Sequence, residues 1–251
     1  MSILDGRQVK IQILKELKEK LLKLNESIGL VVIQIGDDAA SSVYVRQKNK
    51  MATDLNYKFQ HIKLPSNIKE DELLKIIENL NNDDAVDGIL VQMPIPKHLD
   101  ANKVQNSILS CKDVDGLTDI NAGMLVHNKD GLIPCTPMGI IDLLDHYNIP
   151  IEGKNVVIIG RSNLVGKPLA NLMTNKNATV TLCHSKTNNL PFYTNNADIL
   201  VASVGIPNFI TEDMVKPGAI VIDVGINRLP DGSLCGDVDF INVKEKASYI
   251  T

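Results

Sequence analysis

Apolar residues follow two alternating spacings along this chain. Between Gln8 and Leu24 they lie mainly three or four positions apart, with lysines between them, which is typical of an amphipathic helix. The next apolar run, 29–36, is bounded by glycines and has the length of a buried strand. Because the alternation then repeats, the pattern predicts parallel sheets covered by helices.

The same pattern places further elements in both halves of the chain. In the first half, helices are predicted over 8–24, 43–55 and 69–80, and strands over 29–36, 57–64 and 88–93. In the second half, strands are predicted over 154–160, 178–182, 198–203 and 219–224, with helices over 138–147 and 166–174. Successive βα units of this length form an open Rossmann-type sheet.

The segment 110–137 differs from both halves. It is rich in Asp, Gly, Asn and Pro and shows little periodicity, so we place the domain junction there. The predicted fold class is α/β, with two α/β domains, 1–119 and 120–251. The second domain is predicted to be a Rossmann-type parallel sheet.

Composition and charge exclude several classes of protein. The chain is 44% hydrophobic and 22% charged, with a net charge of -4, which is ordinary for a soluble globular protein and does not indicate a nucleic-acid or membrane partner. No apolar run approaches the roughly 20 residues of a membrane span, and we expect a cytoplasmic protein. The four cysteines and five histidines are scattered without a metal-binding spacing, so no metal is predicted.

A glycine-containing turn lies between a predicted strand and helix in the second half. Its sequence, Gly160-Arg-Ser-Asn-Leu-Val-Gly166, stands where backbone N–H groups and a helix N-terminus would meet a phosphate. Ser162 replaces the second glycine of the usual dinucleotide motif, and the last glycine comes one residue late. A purely structural βα turn fits this spacing as well.

The end of the next predicted strand indicates which dinucleotide would bind. NAD-binding folds usually place an acidic residue there for the ribose 2′-hydroxyl. This strand ends in Cys183-His184-Ser185-Lys186, which has no carboxylate, and Arg161 lies on the preceding turn. Since a 2′-phosphate is best bound by a cation and a hydroxyl, we predict NADP rather than NAD.

Polar residues in the first half are candidates for catalysis. Tyr44 and Lys48 are four residues apart on a predicted helix and therefore share a face. A desolvated lysine can act as a base, and a tyrosine can stack on a planar ring. Most lysines on helices are solvated, however, and most tyrosines on helices pack against other side chains. Gln92 interrupts an apolar strand, where a buried amide needs a hydrogen-bond partner. Asp113 and Asp115 could accept hydrogen bonds from an aminopyrimidine ring, or they could only stabilise a turn.

Several stretches together resemble one enzyme family. They are Tyr44-Val-Arg-Gln-Lys48, Gly88-Ile-Leu-Val-Gln-Met-Pro-Ile-Pro96, Lys112-Asp-Val-Asp-Gly116, Pro134-Cys-Thr-Pro137, Gly160-Arg-Ser-Asn-Leu-Val-Gly166, Ala178-Thr-Val-Thr-Leu-Cys-His-Ser185, Lys216-Pro-Gly-Ala-Ile-Val-Ile-Asp-Val-Gly-Ile-Asn227 and Gly236-Asp-Val-Asp239. They run in family order over almost the whole chain. The chain resembles the bifunctional methylenetetrahydrofolate dehydrogenase/cyclohydrolase family, called FolD in bacteria.

The resemblance implies two reactions in one cleft between the domains. An enzyme of this family oxidises 5,10-methylenetetrahydrofolate with NADP and hydrolyses the methenyl product to 10-formyltetrahydrofolate. It implies that 1–119 is the folate-binding catalytic domain, that 120–251 binds NADP, and that the enzyme is a homodimer. The implied catalytic residues are Lys48, Tyr44 and Gln92, the implied folate contacts are Tyr44 and Asp115, and the implied nucleotide contacts are Gly160, Arg161, Ser162, Ser185 and Ile226.

Two departures from the family pattern leave alternatives open. Asn56 stands where the family usually has glycine. The sequence stops at Thr251, where the family continues with a Pro- and Gly-rich loop and a helix. An enzyme with one of the two activities and a non-catalytic nucleotide-binding protein are the alternatives that the absent loop and helix leave open. A different NADP dehydrogenase on a similar two-domain frame, acting on a substrate such as a hydroxy acid, is a further alternative, against which the set Tyr44, Lys48, Gln92 and Asp115 argues.

Overall fold

The computed structural model describes residues 2–24 and 26–251. The chain forms two compact units. One, which we call the small-sheet unit, comprises Ile13–Ile133. The other, the large-sheet unit, comprises Pro134–Thr251 together with the N-terminal segment that ends at Gln12.

Strands and helices alternate through most of the chain. The strands are β1 (Ser2–Ile3), β2 (Gly29–Ile35), β3 (Lys58–Leu64), β4 (Gly88–Val91), β5 (Asn155–Ile159), β6 (Thr179–Cys183), β7 (Ile199–Ala202), β8 (Ile220–Asp223), β9 (Asn227–Arg228), β10 (Leu234–Cys235) and β11 (Tyr249–Ile250). The helices are α1 (Gly6–Leu24), α2 (Ala39–Asp54), α3 (Glu70–Asn81), α4 (Ala101–Asn106), α5 (Asp119–Val126), α6 (Cys135–His146), α7 (Gly166–Asn175), α8 (Leu190–Thr194) and α9 (Phe240–Val243).

The small-sheet unit is built on three parallel strands in the order β3-β2-β4. Helix α3 packs its apolar stripe on this sheet, because Leu73, Ile77 and Leu80 recur at helical spacing and are buried. The central strand β2 has β3 on one side and β4 on the other. The chain passes from β2 to β3 on one side of β2 and then crosses to β4 on the other side. The carboxyl ends of β2 and β4 therefore form a topological switch point, where open α/β sheets bind ligands.

The large-sheet unit contains a six-stranded parallel sheet in the order β1-β11-β8-β7-β5-β6. Its central strands β5 and β7 are apolar and almost wholly buried, as expected for strands covered on both faces. Strand β5 pairs with β6 on one side and β7 on the other, so a second switch point lies at the carboxyl ends of β5 and β7.

The structure confirms the predicted α/β class, with its parallel sheets. The predicted strands and helices are present, with ends that differ by a few residues. Helix α5 was missed, since it lies inside the segment 110–137 that we interpreted as irregular. Its first turn depends on a cap, the Oγ1 of Thr118 accepting from the backbone N–H of Asn121, and not on an amphipathic repeat. The domain limits 1–119 and 120–251 stay predictions.

Asn56 follows the C-terminus of α2 and adopts a left-handed backbone conformation, with φ of 58°. Glycine enters this region without steric cost, and asparagine enters it more readily than other residues with a side chain. The departure from glycine at this position is therefore compatible with the same helix end.

We predict that Asn56→Gly leaves the free energy of unfolding unchanged or raises it, whereas Asn56→Ala lowers it by about 1 kcal/mol. Asn49→Ala, at an exposed position within α2, is the matched control and should not destabilise the protein. Urea denaturation of the three variants measures these differences. Equal stability of Asn56→Ala and Asn56→Gly would contradict the explanation from backbone conformation.

Candidate active site

Lys48 and Gln92 form a hydrogen-bonded pair in the small-sheet unit. The Nζ of Lys48 donates to the Oε1 of Gln92 at 3.0 Å. Gln92 directly follows β4, and its backbone N–H donates to the carbonyl of Ile33 in β2 at 2.8 Å. The pair therefore lies beside the switch point of this sheet, and the structure brings together two residues that are far apart in the sequence.

A second hydrogen bond sets the orientation of the Gln92 amide. Its Nε2 donates to the carbonyl oxygen of Met93 at 2.9 Å. That carbonyl also accepts from the Oγ of Ser41, at 3.4 Å. Because the amide nitrogen needs an acceptor, this arrangement turns the amide oxygen toward Lys48. Gln92 thus holds the lysine amine through a neutral acceptor.

The first turn of α2 is fixed by a capping residue and by Gln34, which the sequence analysis did not single out. Asp38 caps the helix by accepting from the backbone N–H of Ser41 at 2.7 Å, so α2 begins four residues before its predicted start. The side chain of Gln34 is buried in β2, and its Nε2 donates to the Oγ of Ser42 at 3.0 Å. A polar residue within an apolar run was the available signal for Gln34, as it was for Gln92.

Tyr44 and Asp115 present polar groups that the folded chain leaves accessible. Tyr44 lies one turn before Lys48 on α2 and is 47% exposed. Asp115 is half-buried, and within residues 2–24 and 26–251 its carboxylate accepts no hydrogen bond. Burial raises the pKa of Asp115, the charge of Lys48 opposes that rise, and the charge of Asp113 adds to it.

Asp113 has a different role from its neighbour Asp115. It is fully buried, and its carboxylate accepts from the Nε2 of Gln105, the backbone N–H of Thr118 and the Nδ2 of Asn121. The two amide donors lie at 3.1 and 2.9 Å, and the N–H lies at 2.8 Å. Of the two interpretations that the sequence left open, the structural one therefore applies to Asp113. It organises the loop that carries Asp115.

The glycine-containing turn of the large-sheet unit is closed tightly on itself. Gly160 follows β5 with φ of 117°, and a Cβ there would collide with Ser203. A Cβ at Gly166 would collide with the carbonyl of Gly160. Helix α7 begins at Gly166 without a side-chain cap, so the positive end of its dipole faces the turn; the N–H of Lys167 donates to the carbonyl of Ser162 at 3.1 Å, and Pro168 has no N–H. This geometry suits a phosphate group.

The other predicted nucleotide contacts lie on loops at the same edge of the large sheet. Arg161 and Ser162 are exposed, and the Oγ of Ser162 accepts from the backbone N–H of Val165 at 3.1 Å. Ser185 is exposed just after β6, which pairs in parallel with β5. Ile226 follows β8 and is 70% exposed. The structure therefore places all five predicted nucleotide contacts on turns after the carboxyl ends of β5, β6 and β8.

Comparison with known families agrees with both parts of this description. The model for the catalytic domain of tetrahydrofolate dehydrogenase/cyclohydrolase matches residues 4–115, and the model for its NAD(P)-binding domain matches residues 134–251. A relative from Campylobacter hominis, named bifunctional protein FolD, is 50% identical over 255 residues, which cover 100% of this chain and 89% of the relative. The chain belongs to the tetrahydrofolate dehydrogenase/cyclohydrolase family.

Solved structures support the same assignment. The bifunctional enzyme FolD from Campylobacter jejuni superposes with a TM-score of 0.98 at 47% identity, over 100% of this chain and 90% of that chain. The Trypanosoma brucei FolD enzyme, solved with NADP cofactor and an inhibitor, gives a TM-score of 0.92 at 34% identity, over 98% of this chain and 88% of that chain. The resemblance and the enzyme class drawn from the sequence are confirmed, and the enzyme has both the catalytic and the NAD(P)-binding domain.

The described part of the enzyme has neither a membrane-spanning helix nor a cluster of metal-binding side chains. No helix within residues 2–24 and 26–251 has the length and apolar character needed to cross a membrane. The same residues contain no group of three or more His, Cys, Asp or Glu side chains placed to hold a metal ion.

The raised pKa of Asp115 gives a prediction with a definite sign. The folded state binds a proton at Asp115 more tightly than the unfolded state does, so ionisation as the pH rises above about 4 costs folding free energy. Asn at this position does not ionise. We therefore expect Asp115→Asn to gain stability over the parent enzyme as the pH is raised from about 3 to about 7. Thermal unfolding measured across this pH range checks it.

Asp198 provides a control of opposite sign. The Nζ of Lys216 donates to it at 2.6 Å, and this bond, together with one from the backbone N–H of Asn155, lowers the pKa of Asp198. Its stabilising contribution is present at neutral pH and is lost as the pH falls through its folded pKa. Asp198→Asn should therefore lose stability at neutral pH, by under about 1 kcal/mol because the pair is partly exposed, and little at acid pH. The same pH trend in both variants would contradict the account.

Proposed function

We propose that this enzyme oxidises 5,10-methylenetetrahydrofolate to the 5,10-methenyl cation with NADP and hydrolyses that cation to 10-formyltetrahydrofolate. The observation that carries the proposal is the pairing of the Lys48 amine with the neutral Gln92 amide beside the switch point of the small sheet. The names of the relatives, which describe bifunctional enzymes, support it.

Lys48 is the proposed proton acceptor for hydrolysis. Water adds to the methenyl carbon and loses one proton. The hydroxyl formed then loses its proton as the bond from that carbon to N5 breaks and N5 takes up a proton, which gives the 10-formyl product with net release of one proton. An amine beside the cation can take the proton from the attacking water, whereas an ammonium would repel the cation. Gln92 accepts a hydrogen bond from Lys48 at 3.0 Å and, as a neutral amide, adds no charge of its own beside the cation.

Tyr44 and Asp115 are the proposed folate contacts. The exposed Tyr44 ring, one turn from Lys48, can stack on the planar pterin and orient the reacting carbon toward the amine. No described residue donates a hydrogen bond to the Asp115 carboxylate, so it can accept hydrogen bonds from the amino group and ring nitrogen of the pterin. A ligand that supplies these donors would compensate the burial of the carboxylate.

The large-sheet unit fits a dinucleotide with a 2′-phosphate. The turn from Gly160 to Gly166 and the uncapped start of α7 would hold the diphosphate. Arg161 and Ser185 would bind the 2′-phosphate, because neither β6 nor the residues directly after it carry a carboxylate. When bound, NADP supplies the acceptor for the hydride that leaves the methylene carbon. The NADP complex of the related Trypanosoma brucei enzyme supports this choice.

The assembly and location proposed for the enzyme rest on the sequence analysis. We propose that it is a homodimer in the cytoplasm, that its small-molecule substrate is a folate, and that neither nucleic acid nor a membrane is its partner. Sedimentation equilibrium of the purified protein measures the first property, and a monomeric mass over the working concentration range would contradict it.

The decisive experiment compares Lys48→Met with Lys50→Met. Lys50 is an exposed lysine of the same helix, so its replacement removes the same charge without touching Gln92. We expect Lys48→Met to lose hydrolysis of the methenyl cation by about 100-fold or more, while NADP still binds. Lys50→Met should keep both activities. Reduction of NADP and decay of the methenyl absorbance, followed separately, give the two rates.

Three results would contradict the proposal. The first is full hydrolysis by Lys48→Met, which would show that another group activates water. The second is the absence of NADP reduction by folded parent enzyme with 5,10-methylenetetrahydrofolate. The third is equal loss in the Lys48→Met and Lys50→Met variants, which would point to a charge effect of the helix as a whole.

Cofactor choice is testable at the end of β6. We expect Ser185→Asp to raise the KM for NADP by about 10-fold or more, because a carboxylate repels the 2′-phosphate, while the KM for NAD falls. Asn188→Asp, three residues further along at another exposed position, adds the same charge as a control. An unchanged ratio of NADP to NAD efficiency in Ser185→Asp would contradict the assignment of this turn to the 2′-phosphate.

A further inference from the structure

Asp237 is a fully buried carboxylate outside the residues assigned to catalysis or to cofactor contact. Its Oδ2 accepts from the backbone N–H groups of Val204 and Gly205 at 2.6 and 3.0 Å. Its Oδ1 accepts from the backbone N–H of Ile206 at 3.0 Å and from the Nδ2 of Asn227 at 2.9 Å. Both oxygens are therefore saturated, by donors from the loop after β7 and from the first residue of β9.

These two segments border the proposed cofactor site. Residues 204–206 follow β7, which lies next to β5 and the Gly160 turn at the switch point. Asn227 follows β8 and is the immediate neighbour of the exposed Ile226. With the diphosphate at α7 and the adenosine end toward β6, the nicotinamide half of a dinucleotide must extend over the ends of β7 and β8.

A second carboxylate fixes the segment that carries Asp237. Asp223, at the end of β8, accepts from the backbone N–H groups of Gly225, Asp237 and Val238 at 2.8, 2.9 and 3.0 Å. A Cβ at Gly225 would collide with the carboxylate of Asp237, and one at Gly236 would collide with that of Asp223. The backbone thus approaches both carboxylates closely, which leaves this segment little freedom to shift.

We propose that Asp237 is a positioning residue for the cofactor, which holds the 204–206 loop and the Ile226 loop in the shape that receives the nicotinamide half. This inference rests on the proposed dinucleotide function of the large-sheet unit. The carboxylate is needed because the four donors require a side chain in which both terminal atoms are acceptors. In an asparagine of the same size, an NH2 group would replace one of the two oxygens and would face N–H donors instead of accepting from them. The segment that carries those donors would then lose its hydrogen bonds.

The test is the variant Asp237→Asn in the full chain. We expect the NADP dissociation constant, measured by calorimetry, to rise by about 10- to 100-fold, with a higher KM for NADP and a lower kcat for oxidation. Hydrolysis of the methenyl cation, measured without NADP, should stay within about 2-fold of the parent, because Lys48 and Gln92 lie in the small-sheet unit. A defect of general folding would reduce both activities together.

Two further variants make the result specific. Asp239→Asn makes the same change two residues away, at the cap of α9, and should leave NADP binding unchanged. Asn227→Ala removes one donor and keeps the carboxylate with its three backbone partners, so it should weaken NADP binding in the same direction by a smaller factor. Asn227→Ala also tests the proposal if Asp237→Asn does not fold.

The outcomes separate this proposal from the function on which it rests. Unchanged NADP affinity in both Asp237→Asn and Asn227→Ala would overturn it, and so would a parallel loss of both activities that matches a loss of thermal stability. Selective loss of NADP affinity and oxidation would support it. Parent enzyme that binds no NADP would contradict the proposed function instead.

Discussion

The pairing of loop N–H groups with buried carboxylates is the constraint on which both sites depend. Parallel strands end at one edge of a sheet, and the loops that leave them carry backbone donors that need acceptors when buried. Asp113 accepts from one backbone N–H and two side-chain amides in the small-sheet unit, and Asp237 accepts from three backbone N–H groups and one side-chain amide in the large-sheet unit. Each carboxylate fixes the loops beside one proposed binding site.

The small-sheet unit separates scaffold from ligand contact within one short motif. In Lys112-Asp-Val-Asp-Gly116, the first carboxylate is saturated by the chain itself, whereas Asp115 remains open to a ligand. Burial raises the pKa of Asp115, so we expect its ionisation to cost folding free energy. An unpaired polar group in a half-buried position is typical of a binding site, since the ligand supplies the missing partners.

The sequence predicted the features that depend on long apolar runs or on a local break in them. Strands β2, β4, β5 and β7 are predominantly apolar segments, and the structure buries nearly all their residues. Gln92 stood out because it interrupts such a run, and Lys48 and Tyr44 because they share a helix face. The hydrogen bond between Lys48 and Gln92 could not be derived from spacing, because it depends on how α2 packs beside β4.

Other features required the folded chain. Strands β1 and β11 are only two residues long, which is too short to show a periodicity in the sequence. They form because β1 pairs with β11 and β11 pairs with β8. Helix α5 depends on a cap. Asp113 and Asp115 have the same side chain at a spacing of two, and only their burial and partners distinguish them. The role of Asp237 could not be predicted from the sequence either, because its hydrogen-bond donors are up to 33 residues away along the chain.

The central claim is that Lys48 and Gln92 act as a unit in hydrolysis. The most direct measurement is a double-mutant cycle with Lys48→Met, Gln92→Met and the double variant, which follows the decay of the methenyl cation without NADP. If the amide acts by holding the amine, the double variant should be no slower than Lys48→Met alone, because the second change removes a partner already lost. Rate losses that multiply in the double variant would show that the two residues act independently, and would contradict this account.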